Sequence, residues 1–176
     1  MNLANLTRTE FLTSVGAFPV WHAAKIPDRA RPAVVFINKP FGTPAAAAVL
    51  KAALGAQADL CWMQMIGDGA PDLEQKSLAA FVTAVTEVLQ QAFADRRVIL
   101  AGQGMGATAA LAVRAAVVDR VVALEPELEP AEAWPILDSF RELVRTRPAL
   151  RPVIEAFYGK ALDGSDAPSN LSVLEG

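Results

Sequence analysis

The chain is poor in the residues that carry most chemistry: its 176 residues include one cysteine, one histidine and one tyrosine, and 20% are charged. A lone thiol, Cys61, rules out an internal disulfide and fits a reducing compartment, so a cytoplasmic protein is expected. It sits inside the apolar run DLCWMQMI, where a buried, inert thiol is expected. No metal site is expected. The net charge of −3 and pI near 5.2 leave no basic stripe, which argues against nucleic acid as a partner. No uninterrupted apolar stretch reaches the roughly 18 residues of a membrane helix, because Lys51 and Arg114 break the two best candidates. The opening MNLANLTRTEFLTSVG lacks the charged-then-apolar pattern of a secretory signal. Neither a membrane partner nor a leader is therefore expected.

What the chain does have is apolar residues, at 53% with a mean hydropathy of +0.30. Such a composition suits a sheet whose two faces are both covered by helices. It also leaves little polar surface, which points to an oligomer. The length fits one domain, 1–176, with a core of its own.

The first 31 residues are weakly patterned, with a short strand around Phe18 to His22. From there strands and helices alternate. Val34–Ile37, led by β-branched residues and bounded by Pro32 and Pro40, reads as a buried strand; Asp59–Ile66, ended by Gly67-Asp68-Gly69, Val98–Ala101 and Val121–Leu124 read as the next three. Thr43-Pro44 predicts the start of a helix that Gly55 stops. Glu74–Phe93 carries apolar residues at helical spacing from Leu78 to Ala92. A third helix is predicted over Met105–Val117. After Pro126 a helical, cap-like segment (127–160) holds helices at Trp134–Val144 and Leu150–Tyr158, and the tail 163–176 has the composition of a mobile segment. Strands alternating with helices predict an α/β fold, a three-layer α/β/α sandwich around a parallel sheet of four or five strands.

The turn Gly102-Gln103-Gly104-Met105-Gly106 joins the third strand to the third helix with the spacing of G-x-S-x-G, a nucleophile elbow. Glycine stands where the nucleophile belongs. Together with VVFINKPFGTP, DLCWMQMIGDGAPD and DRVVALEPELEP, this turn makes the segment Pro32–Pro126 resemble the first two-thirds of the α/β-hydrolase fold. The resemblance implies ester or acyl hydrolase ancestry and a small anionic or acyl ligand. It implies that Asn38, Phe41 and Gly42, in the loop after the first sure strand, form an oxyanion or anion site with Met105. It also places Glu125 where some relatives keep the triad acid. The family adds two further strands and a catalytic histidine; this sequence has no histidine beyond His22, before the first sure strand. The expectation is a degenerate, pseudoenzyme-like protein with a structural or binding role and no cofactor. If turnover does occur, Cys61 and Ser139 are the candidate nucleophiles.

Two alternatives stay open. Gly102, Gly104 and Ala107 satisfy G-x-G-x-x-A, with Glu125 ending the next strand, so a Rossmann-like site for NAD or FAD fits the same residues. A hydrolase completed by another chain or by a further C-terminal segment is the other. The strand Val121–Leu124 has no successor in the sequence, and an unpaired apolar edge invites a second copy. A homodimer through this edge and the C-terminal helices, with the three tryptophans contributing, is expected.

Overall fold

The computed structural model describes residues 6–22, 31–43, 45–67, 69–164, 170 and 174. In chain order the elements are strands β1 (Thr7–Thr13), β2 (Gly16–His22) and β3 (Ala33–Ile37), helix α1 (Ala45–Leu54), and strands β4 (Asp59–Met63) and β5 (Asp72–Leu73). Helix α2 (Leu78–Ala92), strand β6 (Val98–Gln103), helix α3 (Met105–Ala112) and strand β7 (Val118–Leu124) follow. Helices α4 (Pro130–Thr146) and α5 (Arg151–Tyr158) complete the set, joined and followed by short 3-10 turns.

One sheet runs through the molecule in the order β1-β2-β4-β3-β6-β7, with β5 pairing β2 to one side. The stretch β4-β3-β6-β7 is parallel throughout and has the spatial order implied by the hydrolase resemblance. The sheet is larger than the four or five strands expected, because β1 and β2 form an antiparallel hairpin that docks antiparallel on β4. Gly16 makes this turn possible. Its φ is +131°, and a Cβ there would fall 2.4 Å from Asp72 O of β5.

Because side chains alternate along a strand, the central strands bury two separate faces. Val35, Ile37, Met63 and Leu100 pack beneath α2, α3, α4 and α5, while Val34, Phe36, Leu60 and Trp62 pack beneath α1. Helix α2 starts at Leu78, the first residue of its apolar pattern rather than at Glu74: Ser77 caps it by accepting from the Ala80 N–H at 3.1 Å, after β5 has taken residues 72–73. Helix α3 ends five residues early. Val117 O is needed to accept from the Val98 N–H at 2.9 Å, so the chain leaves the helix in time to begin β7 at Val118. Pro44, expected at the first turn of α1, lies outside the described residues, as does Asp68 of the loop after β4.

Helices α4 and α5 lie over the α2–α3 face, where Leu137, Phe140, Ile154, Phe157 and Tyr158 are buried. They do not cover β7. Val121, Val122 and Leu124 are 39%, 44% and 46% exposed, and no strand flanks their outer side among the described residues. The tryptophans are not an outward-facing set: Trp62 is buried and Trp21 packs on it with ring centroids 6.4 Å apart. The side chain of Trp134 lies outside the described residues. Of the tail 163–176, Asp163 and Gly164 close a 3-10 turn, Asn170 is buried, and Leu174 O accepts from Arg114 Nη2 at 3.0 Å. The other tail residues lie outside the described ones. No helix among the described residues is long and apolar enough to cross a membrane.

Candidate functional site

Strand β6 turns into α3 at Gly104, whose φ of 58° and ψ of −130°, open to glycine, form the sharp bend of a nucleophile elbow. The flanking glycines explain the spacing. A Cβ on Gly102 would lie 2.2 Å from Gly106 O, and one on Gly106 would lie 2.5 Å from Ile37 O. Strand, turn and helix therefore touch through bare backbone. Gly104 is tied at its N–H to Leu124 O of β7 (3.0 Å), and its own carbonyl accepts from Ala107 and Thr108. The elbow backbone is complete, with no side chain at its apex.

That missing side chain's space is filled. A Cβ on Gly104 would stand 2.8 Å from Glu127 Oε1 and 3.4 Å from Lys39 Cβ. Glu127, three residues past β7, is buried. Its Oε1 accepts from the Met105 N–H at 3.2 Å, and its Oε2 accepts from Tyr158 Oη at 2.9 Å. The Glu127 carbonyl accepts from Thr108 Oγ1 (3.1 Å) and Asn170 Nδ2 (2.8 Å). Asn170 also donates its backbone N–H to Leu128 O at 3.0 Å and meets Met105 Sδ at 3.5 Å. A carboxylate thus occupies the helix N-terminus, where amides and dipole favour negative charge. Burial, then the charge of Glu127 and the hydrogen bond to it, push the Tyr158 hydroxyl well above its ordinary range, so it stays a donor. Tyr158 stacks edge-on with Phe140, and Phe140 with Phe41, at centroid distances of 5.3 and 5.5 Å.

At the anion site expected from Asn38, Phe41, Gly42 and Met105, the donors have partners within the fold. Phe41, at a positive φ of 54°, donates its N–H to Ile66 O (2.9 Å), and Gly42 donates to Lys39 O (2.9 Å). The Asn38 amide donates to Thr43 O (3.2 Å) and Gln64 Oε1 (3.3 Å), and its Oδ1 accepts from the Lys39 N–H. Gln64 in turn donates to Ile66 O and Lys39 O. Met105 N–H is taken by Glu127. Nor is Glu125 the acid of the site: it is exposed, at a φ of 51°, and the carboxylate that reaches the elbow belongs to Glu127.

The other candidates do not converge on the elbow. His22 lies on β2, separated from β6 by β4 and β3, with Nε2 2.9 Å from Thr9 Oγ1. Cys61 is buried in the middle of β4, and that burial pushes its thiol up to about 12. Ser139 is exposed on α4. The space that the second glycine of the fingerprint must leave for a pyrophosphate holds the Glu127 carboxylate, whose charge repels one. No cluster of three or more His, Cys, Asp or Glu suited to a metal occurs among the described residues.

A cavity of about 580 Å³ lies between the loop after β3, the segment after β4, and helices α4 and α5. Phe41, Ile66, Leu143 and Phe157 form apolar walls, while Lys76 and Arg147 bring positive charge to it. Phe41 links this cavity through Phe140 and Tyr158 to Glu127.

The chain has the α/β-hydrolase fold over about 70% of its length. It is similar to a thioesterase domain from the curacin biosynthetic pathway at 19% identity and a TM-score of 0.57, with 70% of this chain and 46% of that one aligned. Naproxen esterase of Bacillus subtilis aligns at 11% identity and a TM-score of 0.57, covering 70% and 44% of the two chains. An esterase domain of a Rhodothermus marinus protein aligns at 17% identity and a TM-score of 0.53, covering 72% and 52%. The chain spans about half the length of these structures. No protein family and no curated protein sequence matches it.

Proposed function

We propose that the chain is a non-catalytic binding protein on an α/β-hydrolase scaffold, taking an apolar ligand with a negatively charged end, such as an acyl carboxylate. The observation that carries this reading is the elbow, where Gly104 offers no nucleophile and Glu127 fills the space and holds the Met105 amide. A serine-type mechanism needs a nucleophile, a base and a vacant oxyanion donor, and the described elbow has none of the three. The cavity lined by Phe41 and Phe157 supports the ligand class, with apolar walls for a chain and Lys76 and Arg147 for the charge. Two measurements test the reading. Hydrolysis of p-nitrophenyl butyrate should stay at the rate without protein, and titration calorimetry with octanoate should show binding that Lys76→Ala and Arg147→Ala weaken. Turnover stopped by a serine- or cysteine-directed inhibitor overturns it. A hydrolase completed by a second chain or by further C-terminal residues is the competing reading, and turnover by the product of the full gene reinstates it.

The proposal includes a homodimer. The exposed β7 edge, left uncovered by α4 and α5, supports a second copy pairing there about a two-fold axis. A cytoplasmic location belongs to the same proposal, supported by the single thiol, and cell fractionation tests it.

A further inference from the structure

The sheet has a second unpaired edge, on β1, at the opposite end from β7. The pairing of β1 with β2 decides which backbone groups that edge offers. Glu10 stands opposite Pro19, which has no N–H to donate. Opposed residues in an antiparallel pair alternate between bonded and non-bonded positions. Glu10 therefore takes a non-bonded position, and its N–H and C=O point away from β2, as do those of Arg8 and Leu12. The Leu12 carbonyl agrees, since it accepts from Gln91 Nε2 at 3.1 Å. Among the described residues no strand covers these groups. Arg8, Glu10 and Leu12 share one face of β1, and all three are exposed, Leu12 by 79%. The Arg8 guanidinium bonds the Glu10 carboxylate and lies 5.9 Å from the Trp21 ring centroid, which holds the charged pair in place.

A second copy can pair antiparallel on this edge about a two-fold axis, and the charges select where the axis lies. Bonded pairs join outward-facing residues, so an axis near the middle of the strand passes at Arg8, Thr9, Glu10 or Phe11. At Arg8 it sets two arginines opposite each other, and at Glu10 two glutamates, which like charge disfavours. At Phe11 it sets Glu10 opposite Leu12. At Thr9 it sets each Arg8 opposite Glu10 of the second copy, and each Leu12 opposite Leu6 of the second copy. We propose that β1 pairs with itself in this Thr9-centred register, each Arg8–Glu10 pair exchanging both backbone hydrogen bonds. The overlap is one short strand, so the contact is weak and transient. It does not rest on pairing at β7; where both occur, it joins dimers through their outer edges.

Sedimentation and amide hydrogen exchange of the Val122→Lys chain, in which pairing at β7 is blocked, test it. The chain should be monomeric at micromolar and dimeric at near-millimolar concentration. Exchange of the Arg8 and Glu10 amides should slow over that range, while the Thr9 and Phe11 amides, already facing β2, stay unchanged. Arg8→Glu and Glu10→Arg should each abolish the association, because one makes the edge acidic and the other makes it basic. An equimolar mixture of those two chains should associate again. So should the double variant Arg8→Glu/Glu10→Arg, in which every opposed pair is reversed. Should Val122→Lys not fold, the same charge variants in the otherwise unaltered chain should lose the association step between micromolar and near-millimolar concentration. No association at near-millimolar concentration leaves the edge to a different protein and overturns the inference. Association that the single variants keep, a mixture that stays apart, or Arg8 and Glu10 amides that exchange no more slowly in the associated state overturns it equally.

Discussion

Tyr158 and Glu127, 31 residues apart, meet hydroxyl to carboxylate at 2.9 Å and are both buried. The contact joins the last helix of the cap-like segment to the segment after β7, and so fixes the carboxylate over the elbow. Without it, one Glu127 oxygen would lose its phenolic donor. Tyr158→Phe should therefore destabilise the fold by about 1–3 kcal/mol, the cost of an unsatisfied buried acceptor, measured as a lower midpoint in urea.

The same pair predicts a pH response. Tyr158 is the chain's single tyrosine, and its folded-state ionisation is raised by burial first and by Glu127 second. A group whose pKa is raised on folding contributes stability that is complete below its unfolded value and declines above it. Tyrosinate absorbance should thus stay low near pH 10 while the protein is folded and rise on unfolding. Glu127→Gln should lower the ionisation without bringing it to the ordinary value, because burial, the larger cause, remains.

Cys61 behaves in the same direction. Its thiol moves from 9.0 to about 12, mainly through burial. Stability should fall by about 1.4 kcal/mol per pH unit over this window, from pH 9 upward, as the unfolded chain loses its proton first. Cys61→Ala should flatten that part of the profile, read from thermal melts across the window.

Gly104→Ser should give neither an esterase nor a stable protein. The backbone angles of residue 104 disfavour an L side chain by about 1–3 kcal/mol, and the new Cβ would press on Glu127 Oε1. Gly106→Val should be worse, because its obstacle is the backbone carbonyl of Ile37 rather than a side chain. Urea unfolding of the two variants gives the ranking, and a stable, ester-cleaving Gly104→Ser contradicts it.

For the β7 edge the discriminating variant is Val122→Lys. If a second copy pairs there, the unaltered chain should sediment as a dimer at micromolar concentration and the variant as a monomer. A lysine on a sheet edge blocks further pairing. Because Val122 is already 44% exposed within one chain, the melting temperature of the variant monomer should reflect only the lost partner.

The four central strands were legible as short apolar runs, with β-branched residues in β3, β6 and β7 but none in β4. The elbow was legible because its glycines are required by backbone contacts at fixed spacing. The hairpin was not, since β1 reads TRTEFLT and is largely exposed, leaving little periodic apolar signal. Glu127 was missed for a different reason. It follows Met105 by 22 residues and reaches the elbow because β7 ends beside Gly104, with the Gly104 N–H on Leu124 O. Nothing local in DRVVALEPELEP distinguishes it from the exposed Glu125 two positions earlier. Helix α3 was overextended because alanine-rich sequence carries no stop signal, whereas the need to start β7 does.

Asn170 gives the elbow an external gauge. Its side chain bonds to the Glu127 carbonyl and meets the Met105 sulfur, while its backbone amide bonds to Leu128. A shift of the backbone at Glu127 and Leu128 relative to Met105 would disturb those three contacts together. The nitrogen-15 resonances of this one residue, far along the chain from residue 104, therefore report any such movement at the elbow.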